Sequence, residues 1–193
     1  NKGVVVWKAD AAVSSDENRR TRGMSMYGNA VLHNLVDGRA ISVNRDSGEF
    51  NWDVQVARTE HAKSSAADTP RMEREGFTAA PIAAAGKLLV GQSKGDAGTR
   101  GWIAALDIET GEEVWREYTV PAPGEFGNDT WGGDSWRETG KVGVWTMMSV
   151  DPELGYVYMP LNTAAPDYYG GHRPGSNLFA ESLVAVDMRT GER

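Results

Sequence analysis

The chain has 193 residues, of which 40% are hydrophobic and 24% are charged, so it holds enough apolar material for a folded core. Its formal net charge of −7 at pH 7 argues against non-specific nucleic-acid binding, which requires a basic surface. Because the sequence contains no cysteine, disulfides, thiolate zinc sites and cysteine nucleophiles are excluded.

Short apolar segments separated by turn residues predict an all-β chain. The predicted strand segments are 3–7, 24–35, 38–43, 77–90, 101–106, 145–150 and 155–160. Asp37 and Gly38 form the turn signal of the first hairpin. The segment 77–90 is expected to split into two strands at Ala85, Gly86 and Lys87. Residues 121–143 are rich in glycine and proline, and they predict a long surface excursion.

One motif occurs nearly three times, and it consists of an apolar strand, Asp or Asn, a glycine turn and tryptophan. The first copy ends at Trp52 and the second at Trp115, while a third reaches Gly191 without a tryptophan. Asp or Asn stabilises the turn through its side-chain oxygen, and glycine supplies the positive φ. Propellers repeat one such motif per blade, whereas sandwiches and barrels usually do not. The repeat therefore predicts a propeller sector.

Two segments carry residues suited to ligand binding. The stretch 91–101 contains four glycines, whose backbone can approach a planar or anionic ligand, and Asp96 offers a hard oxygen ligand for calcium. Arg22 can clamp a carboxylate with two hydrogen bonds. The plainer alternatives are a hairpin loop with a solvated Asp96, and a solvated Arg22.

The tryptophans divide into two groups. Trp52 and Trp115 belong to the repeat and are interpreted as blade-packing side chains. Trp131, Trp136 and Trp145 lie outside the repeat, where an aromatic ring can stack on a flat cofactor, although core packing is the default for each.

The sequence resembles the pyrroloquinoline quinone (PQQ)-dependent dehydrogenases, which are eight-bladed quinoprotein β-propellers. Four segments in the family's order carry the resemblance: 21–24, 91–101, 107–115 and 143–160. Residues 166–179 look most similar to the branch that contains the membrane-bound glucose dehydrogenase. The resemblance implies an all-β sector of about three blades, with residues 1–193 forming a partial propeller domain truncated at both ends.

The resemblance also implies a set of cofactor-binding residues. They are Arg22, Thr78, Ser93, Lys94, Gly95 and Trp145. Arg22 matches the arginine that hydrogen-bonds a PQQ carboxylate or carbonyl, and Trp145 matches the tryptophan under the quinone ring. Thr78 and Ser93 match the hydroxyls that contact the cofactor.

For the metal, the resemblance implies Ca²⁺, with Mg²⁺ as the alternative. Asp96 stands where the family's alcohol dehydrogenases have a glutamate, so its carboxylate is shorter by one methylene. Their second ligand, an asparagine, aligns with Thr163, while Asn162 is the adjacent residue. Either Thr163 contributes weakly, or Asn162 replaces the missing ligand beside Asp96, or the metal is held differently in this branch. The family's double cysteine is absent, which favours the glucose dehydrogenase side.

The function implied by the resemblance is oxidation of a sugar, polyol or alcohol by hydride transfer to PQQ, with electrons passed to ubiquinone or a cytochrome c. The family's catalytic aspartate would follow Arg193, so we expect no catalytic residue in this chain and no activity from it alone. The expected location is the periplasm, with an inner-membrane anchor left open. The alternative is a non-enzymatic propeller scaffold of the outer-membrane assembly type, which needs none of the predicted cofactor and metal residues.

Overall fold

A computed structural model describes residues 3–13, 21–58, 76–93, 100–139 and 141–193. Within these ranges the chain forms eleven β-strands and three short 3-10 helices, which confirms the all-β prediction. The strands are β1 Ser25–Tyr27, β2 Ala30–Asn34, β3 Arg39–Asn44, β4 Phe50–Gln55, β5 Ile82–Ala84, β6 Lys87–Gly91, β7 Trp102–Asp107, β8 Glu113–Tyr118, β9 Ser149–Asp151, β10 Tyr156–Pro160 and β11 Leu183–Asp187. The 3-10 helices are Asn128–Thr130, Gly132–Arg137 and Gly170–His172. No helix in these ranges has the length and hydropathy of a membrane span.

The strands form three antiparallel sheets, which we call blades 1 to 3, and each blade uses strands that follow one another in sequence. Blade 1 contains β1 to β4, blade 2 contains β5 to β8, and blade 3 contains β9 to β11. Ser42 pairs with Trp52 just before the register of β3 and β4 shifts. Ala105 and Trp115 pair at the same place in blade 2, again just before a shift. The matching irregularities identify blades 1 and 2 as copies of one unit.

A side-chain oxygen closes the turn of each repeat. Oδ1 of Asp107 accepts the backbone N–H groups of Glu109 and Thr110 at 3.0 and 2.9 Å. In the other two repeats, Oδ1 of Asn44 and Oδ1 of Asp187 accept the equivalent backbone N–H groups, which belong to the residues two and three positions downstream. The bonds from the backbone N–H groups of Thr110 and Glu109 lower the pKa of Asp107. The turn is therefore specified locally, as the motif predicts.

The repeat tryptophans lock each blade onto the next one. Nε1 of Trp52 donates to the carbonyl oxygen of Ile108 at 3.1 Å, and Nε1 of Trp115 donates to that of Met188 at 3.0 Å. Both indoles are buried between the blades. The predicted blade-packing role of these two tryptophans is thereby confirmed.

The turn glycine of the receiving blade makes room for each indole. A Cβ placed on Gly111 would lie 2.9 Å from the ring of Trp52, and one on Gly191 would lie 2.6 Å from the ring of Trp115. Each glycine follows the accepting carbonyl by three residues. Glycine is thus required here for close approach as well as for its positive φ.

Trp7 makes the same lock, which the sequence prediction missed. Its Nε1 donates to the carbonyl oxygen of Arg45 at 2.7 Å, and its ring lies 2.8 Å from a Cβ placed on Gly48. The prediction of a strand over 3–7 was wrong, because these residues pair with no strand in the described part of the chain. The lock onto blade 1 holds this segment instead.

Several predicted strands are shorter than expected. The segment 24–35 is two strands, because a turn at Gly28 and Asn29 separates β1 from β2. Residues 77–81 and 145–148 lie outside any strand, whereas the split of 77–90 at Ala85 and Gly86 is confirmed. Apolar residues in these segments enter the core without strand pairing, so the hydrophobic pattern alone overestimated strand length.

The described part of the excursion 121–143 is free of strands, as predicted, but it is not confined to the surface. Trp131 is buried, and its Nε1 donates to the carbonyl oxygen of Leu178 at 2.6 Å. Val142 is completely buried. The excursion therefore packs against the loop between β10 and β11.

Candidate cofactor site

Residues 141–145, which we call the strap, cross from blade 3 to the end of β6. Lys141 forms an isolated antiparallel bridge with Ala164, and the backbone N–H of Val144 donates to the carbonyl oxygen of Gln92 at 2.8 Å. Val144 is completely buried, whereas Trp145 at the end of the strap is 43% exposed. The strap is therefore buried at Val144, and it exposes the indole of Trp145 to solvent.

Three blades contribute residues around this indole. The guanidinium carbon of Arg22, just before blade 1, lies 4.8 Å from the centroid of the Trp145 ring. Nη1 of Arg22 donates to the carbonyl oxygen of Thr78, just before blade 2, at 3.2 Å. A cation, a polar segment and an exposed aromatic face thus meet at one place.

The hydroxyls of Thr78 and Ser93 face the backbone of the strap. Oγ1 of Thr78 donates to the carbonyl oxygen of Trp145 at 3.3 Å. Oγ of Ser93 accepts the backbone N–H of Thr78 at 3.1 Å and lies 3.3 Å from the carbonyl oxygen of Val144. Four of the six predicted cofactor residues, Arg22, Thr78, Ser93 and Trp145, are therefore neighbours. Their individual contacts with a cofactor stay a prediction.

The remaining cofactor residues, Lys94 and Gly95, and the predicted metal ligand Asp96 lie outside the described residues. Among the side chains that the structure describes, no group of three or more His, Asp or Glu is arranged to hold a metal ion.

The two other metal candidates already have polar partners. Oδ1 of Asn162 accepts the backbone N–H of Gly143 at 2.5 Å, and the N–H of Asn162 donates to the carbonyl oxygen of Gly143 at 3.2 Å. Oγ1 of Thr163 accepts a hydrogen bond from Nη2 of Arg173 at 3.3 Å. The fixed positive charge of Arg173 opposes a second cation at this hydroxyl. The spacing of residues in the sequence could not have predicted the contact between Arg173 and Thr163.

His33 supports the Arg22 segment and was also missed by the sequence prediction. Its Nδ1 lies 3.0 Å from the carbonyl oxygen of Gly23, and burial lowers the pKa of His33. A cavity of about 520 Å³ is lined by His33, Thr21 and neighbouring residues, but by none of the predicted site residues. The exposed indole therefore marks the site better than this cavity does.

The site residues fit a planar, anionic ligand. An exposed indole face suits stacking on a flat ring, and the adjacent Arg22 guanidinium suits a carboxylate. The four neighbouring side chains are a guanidinium, two hydroxyls and an indole, and none of these groups is a general base at neutral pH. This cluster can bind and orient a ligand, and a proton acceptor must come from elsewhere.

Sequence comparisons connect this chain with known proteins. Residues 1–193 match the family model described as "PQQ: Glucose/ethanol/alcohol dehydrogenase, beta-propeller domain". The chain is 31% identical over 210 residues to quinohemoprotein alcohol dehydrogenase ADH-IIG of Pseudomonas putida, with 98% of the chain and 27% of that protein covered. It is 26% identical over 210 residues to methanol dehydrogenase [cytochrome c] subunit 1 of Methylorubrum extorquens, covering 100% of the chain and 29% of that protein.

Solved structures give the same relationship. Quinohemoprotein alcohol dehydrogenase from Comamonas testosteroni superimposes with a TM-score of 0.81 at 26% identity, over 97% of this chain and 29% of that one. A europium-containing methanol dehydrogenase gives a TM-score of 0.72 at 25% identity, over 90% of this chain and 31% of that one.

The chain spans less than a third of the length of these relatives. The family match nevertheless covers every residue, and the three antiparallel sheets agree with a β-propeller sector. The chain therefore belongs to the β-propeller domain family of the PQQ-dependent glucose/ethanol/alcohol dehydrogenases.

Proposed function

We propose that this chain is a sector of a longer PQQ-dependent dehydrogenase that oxidises an alcohol group. The observation that carries the proposal is the contact of Arg22 and Thr78 with Trp145, an exposed indole, each from the segment that leads into a different blade. A scaffold that binds only proteins has no need for this arrangement. The names of the relatives support the same activity.

In this proposal the described residues bind and orient the cofactor. Trp145 covers one face of the quinone ring, and Arg22 neutralises a carboxylate. Ser93 and Thr78 fix the backbone that carries the indole, and they have hydroxyl lone pairs left for the ligand. When bound, PQQ supplies the acceptor for the hydride that leaves the substrate carbon.

We further propose a Ca²⁺ or Mg²⁺ site that uses Asp96 with one of the two candidates at the end of β10. Asn162 is the better candidate, because an amide oxygen has a second lone pair while Thr163 faces the cation of Arg173. The solved europium-containing methanol dehydrogenase supports a hard cation in this type of propeller.

An alcohol is the favoured substrate, because the relatives named above are alcohol and methanol dehydrogenases. Sugars and polyols stay within the proposal through the likeness of 166–179 to the glucose dehydrogenase branch. A cytochrome c is the favoured electron acceptor, after the methanol dehydrogenase [cytochrome c] relative, with ubiquinone as the alternative. We place the protein in the periplasm, again by analogy with this family.

A PQQ titration of the full-length protein tests the proposal. Replacing Arg22 with Met removes the charge that faces the cofactor, so the Kd for PQQ should rise about tenfold to a hundredfold. Arg45→Met is the matched control, because the side chain of Arg45 forms an exposed ion pair with Asp46 at 3.2 Å and is not one of the predicted site residues. A wild-type protein that binds no PQQ at micromolar concentration would instead favour the scaffold.

A further inference from the structure

We propose that Thr119 and Asn162 are positioning residues that set the location of the Trp145 indole by holding the strap from two sides. The inference rests on the proposed function, since it concerns the same cofactor platform. Neither residue needs to touch the cofactor in order to act in this way.

Thr119 holds the strap from blade 2. Its hydroxyl donates to the carbonyl oxygen of Val142 at 2.5 Å, and its backbone N–H donates to the carbonyl oxygen of Gly101 at 2.8 Å. Thr119 is 2% exposed, so water cannot replace the hydroxyl when it is removed. The bond therefore ties the strap to the segment that enters β7.

Asn162 holds the strap from blade 3. Its side-chain oxygen and its backbone N–H bind the N–H and the carbonyl oxygen of the same residue, Gly143. The two hydrogen bonds therefore hold both peptide groups that flank Gly143. Because Gly143 is two residues from Trp145, a rotation there would be transmitted to the indole.

The strap packs closely against neighbouring backbone at two points. A Cβ on Gly143 would collide with the carbonyl oxygen of Gln92, and a Cβ on Gly101 would collide with that of Lys141. Close packing on one side and hydrogen bonds from both blades leave one well-defined backbone path. Buried contacts of the strap therefore determine where the exposed indole lies.

The positioning role matters because a stacking platform works only when it is held within about 0.5 Å of its productive place. At the end of the strap, the carbonyl oxygen of Trp145 also accepts a hydrogen bond from the hydroxyl of Thr78 at 3.3 Å. We call the contacts of Thr119 and Asn162 with the strap the two clasps. Loss of either clasp should let the indole sample other positions and weaken its stacking on the cofactor.

The test uses Thr119→Val and Asn162→Leu in the full-length protein, with Thr119→Ser and Asn162→Asp as rescuing variants. Thr119→Ser keeps the hydroxyl donor, and Asn162→Asp keeps the acceptor oxygen. Thr130→Val is the matched control, because its hydroxyl donates to the carbonyl oxygen of Gly127 at 2.6 Å and accepts the backbone N–H of Leu178 at 2.9 Å, and neither partner belongs to the strap.

The first readout is the acrylamide quenching constant of Trp145 fluorescence. The fluorescence of each variant is measured with and without the additional change Trp145→Phe, and the difference gives the signal of Trp145. The second is the Kd for PQQ. We expect Thr119→Val and Asn162→Leu to change the quenching constant and to raise the Kd about tenfold, a loss typical of one buried hydrogen bond. Thr119→Ser and Asn162→Asp should restore both values, and Thr130→Val should change neither.

Two results would overturn the inference. One is a wild-type quenching constant for Trp145 in both clasp variants, and the other is an equal change in Thr130→Val. Thr119 is not a candidate metal ligand, so matching effects of the two clasp variants trace to the strap. If the wild-type protein bound no PQQ, the proposed function would fail, while the quenching comparison would still decide on the clasp.

Discussion

The lock between blades 1 and 2 predicts different costs for two glycine substitutions with the same backbone geometry. Gly111 has φ +77° and lies beneath the Trp52 ring, while Gly155 has φ +76° and no atom within 4 Å of a Cβ placed on it. Gly111→Ala and Gly155→Ala therefore share the backbone penalty and differ in the steric clash.

The magnitudes follow from these contacts. Alanine in the left-handed region costs about 1–2 kcal/mol, and this is the whole expected effect of Gly155→Ala. At Gly111 the new Cβ would lie 2.9 Å from Cδ2 of Trp52 and 3.0 Å from Cγ1 of Val54. Overpacking of this kind adds about 1–3 kcal/mol, so Gly111→Ala should cost about 2–5 kcal/mol.

Urea denaturation followed by tryptophan fluorescence measures both free energies of unfolding. A double-mutant cycle with Trp52→Leu then isolates the clash, because Gly111→Ala should cost less once the indole is gone. Equal costs for Gly111→Ala and Gly155→Ala in the wild-type background would refute the steric account of the lock.

Three further predictions concern buried charge. Burial lowers the pKa of His33 below 6.5, so the folded state resists protonation and stability should fall as the pH drops below that value. His33→Gln should flatten denaturation midpoints between about pH 7 and 5, and an unchanged slope would contradict this. Burial raises the pKa of Glu117 above 4.5 despite the 2.7 Å pair with Arg193, so its contribution to stability is present at low pH and is lost as the pH rises. Glu117→Gln should remove this loss, and a variant less stable than the wild type at pH 7 would contradict the reasoning. Arg116 lies 3.8 Å from the centroid of the Trp102 ring and donates to the backbone, so Arg116→Lys should cost about 1–3 kcal/mol in urea, while the same change at the exposed Arg58 should cost much less.

The blade units could be predicted from sequence because their determinants are local. An acceptor at Asn44 or Asp107 and a glycine four residues later specify the turn without help from the rest of the chain. The lock of Trp7 carries part of the same local signal, because Gly3 precedes Trp7 by four residues as Gly48 precedes Trp52, but the strand predicted over 3–7 concealed it. Contacts between blades depend on how the sheets stack, which a local pattern does not encode.

The candidate site was likewise predicted only in part. Family-like motifs predicted that Arg22, Thr78, Ser93 and Trp145 belong together, and the structure places them side by side. The motifs did not predict that the two hydroxyls face backbone carbonyls. Such contacts depend on the path of the strap, which is set by tertiary packing at glycines and buried valines.

The tryptophan locks have the same geometry at each interface between blades, whatever the length of the chain that connects the blades. Successive turn glycines are 63 and 80 residues apart, yet each indole reaches a carbonyl three residues before its glycine. Insertions can therefore lengthen the connections without altering how neighbouring blades meet. A propeller built on this rule can vary the loops that connect its blades while its frame stays the same.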